Sequence, residues 1–251
     1  MNKISASDFE EVINNRFKRW TNPGGSPGGL VALSAHVDAN VYIHPNATIY
    51  ENARINSKVY IGEYVTIGVE VVIGENTRIR TFSSVDDYAV IGENVFIASA
   101  HIGKHTVISS EVNIGMNAII RQYTRIGKGT TIFNNVYISE AVIIDECVRV
   151  NDLVRIGGCS HIHSMTVINE KSKIGSKVHI MSGAWLGENT VIEFGTRIEN
   201  NCRIEEKVII RKGPRISRKP EIIRDHTSDS PMPYIRIEGD SVVKSHEKEE
   251  V

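Results

Sequence analysis

Starting at Val37 and moving six residues at a time, the chain meets Ile43, Ile49 and Ile55, and then only isoleucine or valine as far as Ile97. A single step of five leads to Ile102, after which the sixes resume from Ile108 and hold to Ile222 with isoleucine, valine or leucine at every position. A short fixed period kept over most of a chain predicts stacked repeats. It also excludes amphipathic helix, which needs apolar residues at spacings of three and four.

The positions around each aliphatic repeat as well. Two before it stands a small or β-branched residue, as at Ala47, Ala53, Val59, Val65, Thr106 and Ala118. Side chains two apart share one face of a strand, so the pair points inward together. Three before it, Asn or Gly recurs, as at Asn52, Asn76, Asn94, Asn117, Gly129, Asn135 and Asn201, residue types that tolerate positive φ and so predict a sharp corner. The next residue is repeatedly glycine, as at Gly62, Gly74, Gly92, Gly127 and Gly187. Each hexad is therefore a short strand and a corner, and only stacking can bury its isoleucine. Aliphatic columns account for a composition that is 41% hydrophobic with only 6% aromatic residues.

This pattern resembles the bacterial transferase hexapeptide repeat, an aliphatic-Gly-x-x-small-x unit of left-handed parallel β-helix proteins, from Ala35 to about Ile222. The resemblance implies an all-β left-handed parallel β-helix solenoid of about ten coils, with three hexads per coil and residues 18 apart stacked. It also implies a homotrimer, an acetyl-CoA co-substrate and a small-molecule acceptor. The β-helix is expected over 31–222, preceded by an N-terminal helix and Gly/Pro linker (1–30) and followed by a partly disordered C-terminal extension (223–251).

Within 1–30, Ser7 and Glu10 form a capping box, and Phe9, Val12, Ile13, Phe17 and Trp20 share a face. A helix over 5–20 is expected to plug the exposed strand edge of the first coil, followed by a flexible link at PGGSPGG. Beyond Pro214 the pattern fades, and pairing is expected to stop. Residues 233–245 nonetheless alternate like two short strands around Glu238-Gly239-Asp240, folded back on the last coil.

For chemistry, residues 184–195, AWLGENTVIEFG, resemble a run of the O-acetyltransferases of this fold. Trp185, Leu186, Gly187, Ile192 and Gly195 match, while Phe194 replaces the usual proline. The resemblance implies a catalytic histidine upstream, where His161 and His163 lie. Acyl transfer to a hydroxyl needs a general base near neutrality. His163, at a corner, is the first choice and His161 the second. His179, 18 residues after His161, and Trp185 are substrate-binding candidates. Arg197, Arg203 and Arg215, in a basic C-terminal third, are candidates for the coenzyme A phosphates. Glu170 or Glu193 would have to orient the histidines.

Three readings stay open: O-acetyl transfer to a sugar-type hydroxyl; a non-catalytic scaffold presenting outward apolar residues such as Val72, Val90, Val107 and Ile143 to partners; and a zinc carbonic anhydrase, disfavoured because no two histidines are five apart. No metal is expected. The five-residue step brings His101 and His105, either as a neutral adjustment or as a groove. Net charge of −1 gives no support for nucleic acid, and no apolar stretch suggests membrane insertion. Cys147, Cys159 and Cys202 form no CxxC pair and fit a reducing, cytoplasmic setting.

Overall fold

The computed structural model describes residues 15–211 and the backbone of 215–216, 236–237 and 242–243. The fold is an all-β parallel β-solenoid of about ten turns. It comprises two compact units that divide between Tyr123 and Thr124.

In the first unit every hexad forms a two-residue strand whose second member is the column aliphatic. Tyr42–Ile43, Tyr60–Ile61, Arg78–Ile79, Phe96–Ile97 and Asn113–Ile114 make one parallel wall. A second wall runs through Val72–Ile73, Val90–Ile91 and Val107–Ile108, and a third through Thr66–Ile67, Ser84–Val85, His101–Ile102 and Ile119–Ile120. Ile43, Ile61, Ile79 and Ile97 are fully buried, as are the small partners Ala53 and Ala89. The predicted inward pair is thus the core. Val90 and Val107 stand in register on the outer face, 41% and 38% exposed.

The second unit repeats the plan. One wall comprises Arg125–Ile126, Ile143–Ile144, His161–Ile162, His179–Ile180, Arg197–Ile198 and Arg215–Ile216. Another carries Thr131–Ile132, Arg149–Val150, Val167–Ile168, Trp185–Leu186 and Arg203–Ile204. Pairing does not stop at Pro214: Arg215 pairs with Arg197, Arg236–Ile237 with Arg203–Ile204, and Val242–Val243 with Ile209–Ile210. The last two are the short strands read around Glu238-Gly239-Asp240. A ladder amide needs only a parallel neighbour, so the prolines nearby do not end the stack. The Ile222 hexad lies outside the described residues.

From Asn52 onward the left-handed corners fall three residues before each column aliphatic, as the Asn and Gly pattern predicts. They reach further than that pattern, since Tyr64 (φ 53°), Phe82 (59°), Leu153 (61°) and Met165 (59°) take the left-handed conformation too. Such a residue costs roughly 1–2 kcal/mol. What offsets it is a bond that the corner amide gains by turning: Phe82 N–H donates to Glu63 O (2.9 Å), Leu153 to Asn134 O (3.0 Å) and Met165 to Glu146 O (3.1 Å). Stacking, rather than residue preference, sets the corner.

The N-terminal end corrects the sequence reading. Phe17–Thr21 is a strand, antiparallel to Pro27–Ala32, which in turn pairs with Thr48–Ile49. Helix is described only at residues 15–16, and residues 5–14 of the expected helix lie outside the described residues. PGGSPGG is not a flexible link but a hairpin turn and the start of a strand. Gly24 and Gly25 (φ 94° and 88°) make the turn, and a Cβ on Gly29 would lie 2.3 Å from Ala47 O. The residues Phe17 to Thr21 show no period-two alternation, with Phe17 and Trp20 the part-buried pair, and the glycines decide for the hairpin.

Asn22 completes this cap. Its side chain is buried, donates to Pro27 O (3.2 Å) and Ile43 O (3.1 Å), and accepts from Ile43 N–H (2.8 Å). Trp20 Nε1 donates to Val41 O at 3.1 Å. Asn22→Ala leaves the Ile43 amide without that partner and is expected to cost about 1–3 kcal/mol. Urea unfolding monitored by tryptophan fluorescence checks this, and an unchanged midpoint would show that the cap contributes nothing to stability.

Candidate functional site

The site is built on one wall of the second unit. His161 occupies the outward position of its strand, in register with Ile143 on one side and His179 on the other. His163 follows Ile162 where the wall ends, and its amide donates to Ile180 O at 2.8 Å. One coil earlier, Asp145 follows Ile144 at the equivalent place. Its carboxylate spans the edges of the two rings, with Oδ1 hydrogen-bonded to His161 Nε2 at 2.9 Å and Oδ2 3.1 Å from His163 Nδ1. The rings of His161 and His163 stack with centroids 3.7 Å apart, and His179 lies tilted with its centroid 6.3 Å from that of His161.

Asp145 is held by its backbone. Its N–H donates to Ile162 O (2.8 Å), its carbonyl accepts from Thr130 Oγ1 (2.9 Å), and a Cβ on Gly127 would stand 2.5 Å from its carbonyl carbon. Glycine at 127 is what lets the Asp145 backbone approach.

Burial holds the His163 imidazolium below its usual pKa, His161 adds to the effect, and Asp145 opposes it. The shift favours the neutral imidazole. With Nδ1–H given to Asp145, its Nε2 carries a lone pair. The site can therefore accept a proton at an oriented nitrogen. One nitrogen from each of His161, His163 and His179 lies within 4.8 Å of the others, so these are the residues that could also hold a metal ion.

The other site residues read from the sequence divide between two walls. Arg197 pairs in register with His179 and belongs with the histidines, although its Nε is bonded to Glu199 at 2.8 Å. The backbone of Arg215 continues that column. Trp185 stands on a different wall, with the Arg203 guanidinium 4.4 Å above its ring and Arg203 Nε bonded to Glu205 at 3.0 Å. The wall places Asp145, not Glu170 or Glu193, against the rings. Asp145 precedes His163 by 18 residues, so the coil period itself was the signal that could have found it.

The five-residue step, in the first unit, gathers two side-chain arrays. His101 Nδ1 lies 2.6 Å from Ser84 Oγ, and its Nε2 lies 3.4 Å from Asp86 Oδ2. His105 stacks between Tyr88 (4.9 Å) and Tyr123 (5.1 Å) along a corner. Beside them, Asp87 accepts from Lys104 Nζ at 2.7 Å and from Val69 N–H at 3.0 Å. The Lys104 bond first, then the Val69 amide, hold the Asp87 carboxyl below the ordinary carboxylate value.

A group depressed in this way stabilises the fold above the unfolded-state pKa, near 3.9, and the contribution fades as pH falls through the folded value. Asp87→Asn is therefore expected to cost under about 1 kcal/mol at neutral pH, screening keeping it small. Thermal melts at pH 7 and pH 3 check this: the difference from wild type should shrink at the lower pH.

Among known proteins, the bacterial transferase hexapeptide (six repeats) model matches residues 34–68. No curated protein sequence matches the chain. Among solved structures, the chain is similar to the acetyltransferase domain of PglB from Neisseria gonorrhoeae FA1090 in complex with acetyl coenzyme A. The identity is 16%, the TM-score is 0.37, and the match covers 64% of this chain and 54% of that one. It is also similar to LpxA of Bacteroides fragilis 9343, a UDP-N-acetylglucosamine acyltransferase, at 23% identity and TM-score 0.37, covering 72% and 67%. A point mutant of perosamine N-acetyltransferase from Caulobacter crescentus, in complex with CoA and GDP-perosamine, matches at 21% and TM-score 0.24, covering 46% and 49%. The chain thus spans about half the length of the PglB chains it matches, 48% and 54%. Likenesses this distant do not bear on what the chain binds.

Proposed function

We propose that this chain, built of bacterial transferase hexapeptide repeats, is an acyltransferase that moves an acetyl group from acetyl-CoA to a sugar-type hydroxyl. The observation that carries the reading is the Asp145–His163 contact at 3.1 Å, which suits a ring with its proton on Nδ1 and Nε2 available as the base. In the reaction, Nε2 takes the proton of the acceptor hydroxyl as its oxygen attacks the thioester carbonyl. The tetrahedral intermediate then collapses, the C–S bond breaks, and the imidazolium returns the proton to the leaving thiolate. Asp145 keeps the ring's orientation and tautomer.

Arg197, in the same column, supports an anionic group near the histidines. A phosphate would compete with Glu199 for that guanidinium. Trp185 and Arg203 offer a second surface on the neighbouring wall, and a trimer in the cytoplasm is part of the same reading. The test is turnover of acetyl-CoA with a panel of nucleotide sugars and free sugars, read by thiol release, alongside calorimetry with CoA. Absence of both turnover and CoA binding would overturn the transferase reading in favour of a scaffold.

A further inference from the structure

We propose that His161, His163 and His179 form a binding site for a divalent transition-metal ion of the zinc class, with Asp145 as its supporting carboxylate. Three imidazoles from two adjacent coils converge one nitrogen each within 4.8 Å. A tetrahedral zinc ion spaces nitrogen ligands by roughly 3.4 Å, at Zn–N distances of about 2.0–2.1 Å. Closing that gap takes side-chain rotation only, because the backbone positions are already adjacent: His161 and His179 are ladder partners, and His163 follows two residues after His161.

The Asp145 contacts are those of a supporting shell. A ligating histidine ordinarily gives its other ring N–H to a carboxylate, which fixes the tautomer and raises ligand basicity. Asp145 faces two rings at once, Oδ1 bonded to His161 Nε2 (2.9 Å) and Oδ2 3.1 Å from His163 Nδ1, and with the ring protons on those nitrogens the opposite nitrogen of each ring is the ligand. Arg197, the ladder partner of His179, is engaged by Glu199 at 2.8 Å. His161 and His163 are partly covered while His179 is exposed, so an ion held here would keep a coordination position open to solvent. Imidazole-rich sites of this kind take Zn(II), Co(II), Ni(II) or Cu(II) in preference to Mg(II) or Ca(II).

Metal binding does not depend on the transferase reading and is measured without acyl donor or acceptor. The full chain, dialysed against EDTA and then chelator-free buffer, is titrated with Co(II) for visible d–d absorption and with Zn(II) by calorimetry. One equivalent per chain is expected, together with a Co(II) band of low-symmetry, four- or five-coordinate character. His179→Ala should weaken zinc at least 10-fold, and Asp145→Asn by about 10–100-fold as a positioning residue. Each variant's thermal midpoint without metal is recorded, so that misfolding is not read as lost affinity.

His101→Ala, and Cys147→Ser with Cys159→Ser at the exposed thiols, should leave binding unchanged. No Co(II) band and no saturable zinc heat in the wild-type chain would overturn the proposal. So would zinc affinity indifferent to His179→Ala, or binding lost on removing the cysteines. A chain that binds zinc at these histidines but never turns over acetyl-CoA would retain the metal site and lose only the transferase reading.

Discussion

His163→Ala is expected to lower acetyl-CoA-dependent transfer by about 10²–10⁴-fold, the usual contribution of a positioned general base, with kcat falling and KM little changed. The fold should not register the change. His163 is part-exposed at the end of a strand, and the bond its amide donates to Ile180 O at 2.8 Å belongs to the backbone. The thermal midpoint should therefore move by no more than about two degrees. Kinetics on the purified variant with EDTA present checks both halves. Transfer within threefold of wild type would remove His163 from the mechanism.

The pH profile adds an independent reading of the same residue. Transfer needs the imidazole neutral, so activity falls on the acid side as His163 gains its proton. The groups that face it are His161, His179 and Arg197, which lower its pKa along with burial, and Asp145, which raises it. The acid limb should lie below the ordinary imidazole value of 6.5. Asp145→Asn should move it lower still while reducing the maximum rate, because the ring loses both its anion and its orientation. A limb that moves upward in Asp145→Asn would contradict the assignment.

The difference between what the residues predicted and what had to be seen is one of dimension. A period of six is a one-dimensional signal, and it placed Ile126, Ile144 and Ile162 inside, where each is 0–1% exposed. It also placed the corners, because the left-handed turn recurs at Leu153 and Met165 as it does at Asn135. Applied once more it pairs Asp145 with His163, an 18-residue match that neither Glu170, 7 residues from His163, nor Glu193, 30 residues from it, has. Adjacency along the chain and adjacency along the stack are different distances. The hairpin was hidden for another reason. Phe17 and Trp20 are three apart, which suits a helix face, while the glycines of PGGSPGG, which read as a linker, divide between the turn at Gly24 and Gly25 and the strand, where Trp20 and Ala47 take the space of the absent side chains of Gly28 and Gly29.

What the walls offer the site is rigidity, and that makes the core column the second place where a single change should matter most. Ile162 is fully buried between Ile144 and Ile180, on the strand whose neighbours in sequence are His161 and His163. Ile162→Ala removes buried aliphatic volume from a column whose ladder fixes the coil spacing. Little collapse is possible, and a loss of about 2–5 kcal/mol is expected, against about 0.5–1.5 for Ile162→Val. A repeat stack gains its stability from nearest-neighbour interfaces, so the damage should stay local. The amides of His161 and His163, bonded to Val178 O (2.9 Å) and Ile180 O (2.8 Å), should exchange hydrogen faster in the variant than those of distant coils. Urea unfolding and amide exchange measure the two effects separately. A loss below about 1 kcal/mol, set against the range for buried isoleucine, would mean the column is not what sustains the fold. Uniform loosening along the chain would mean that the wall beneath the histidines is not an independent support.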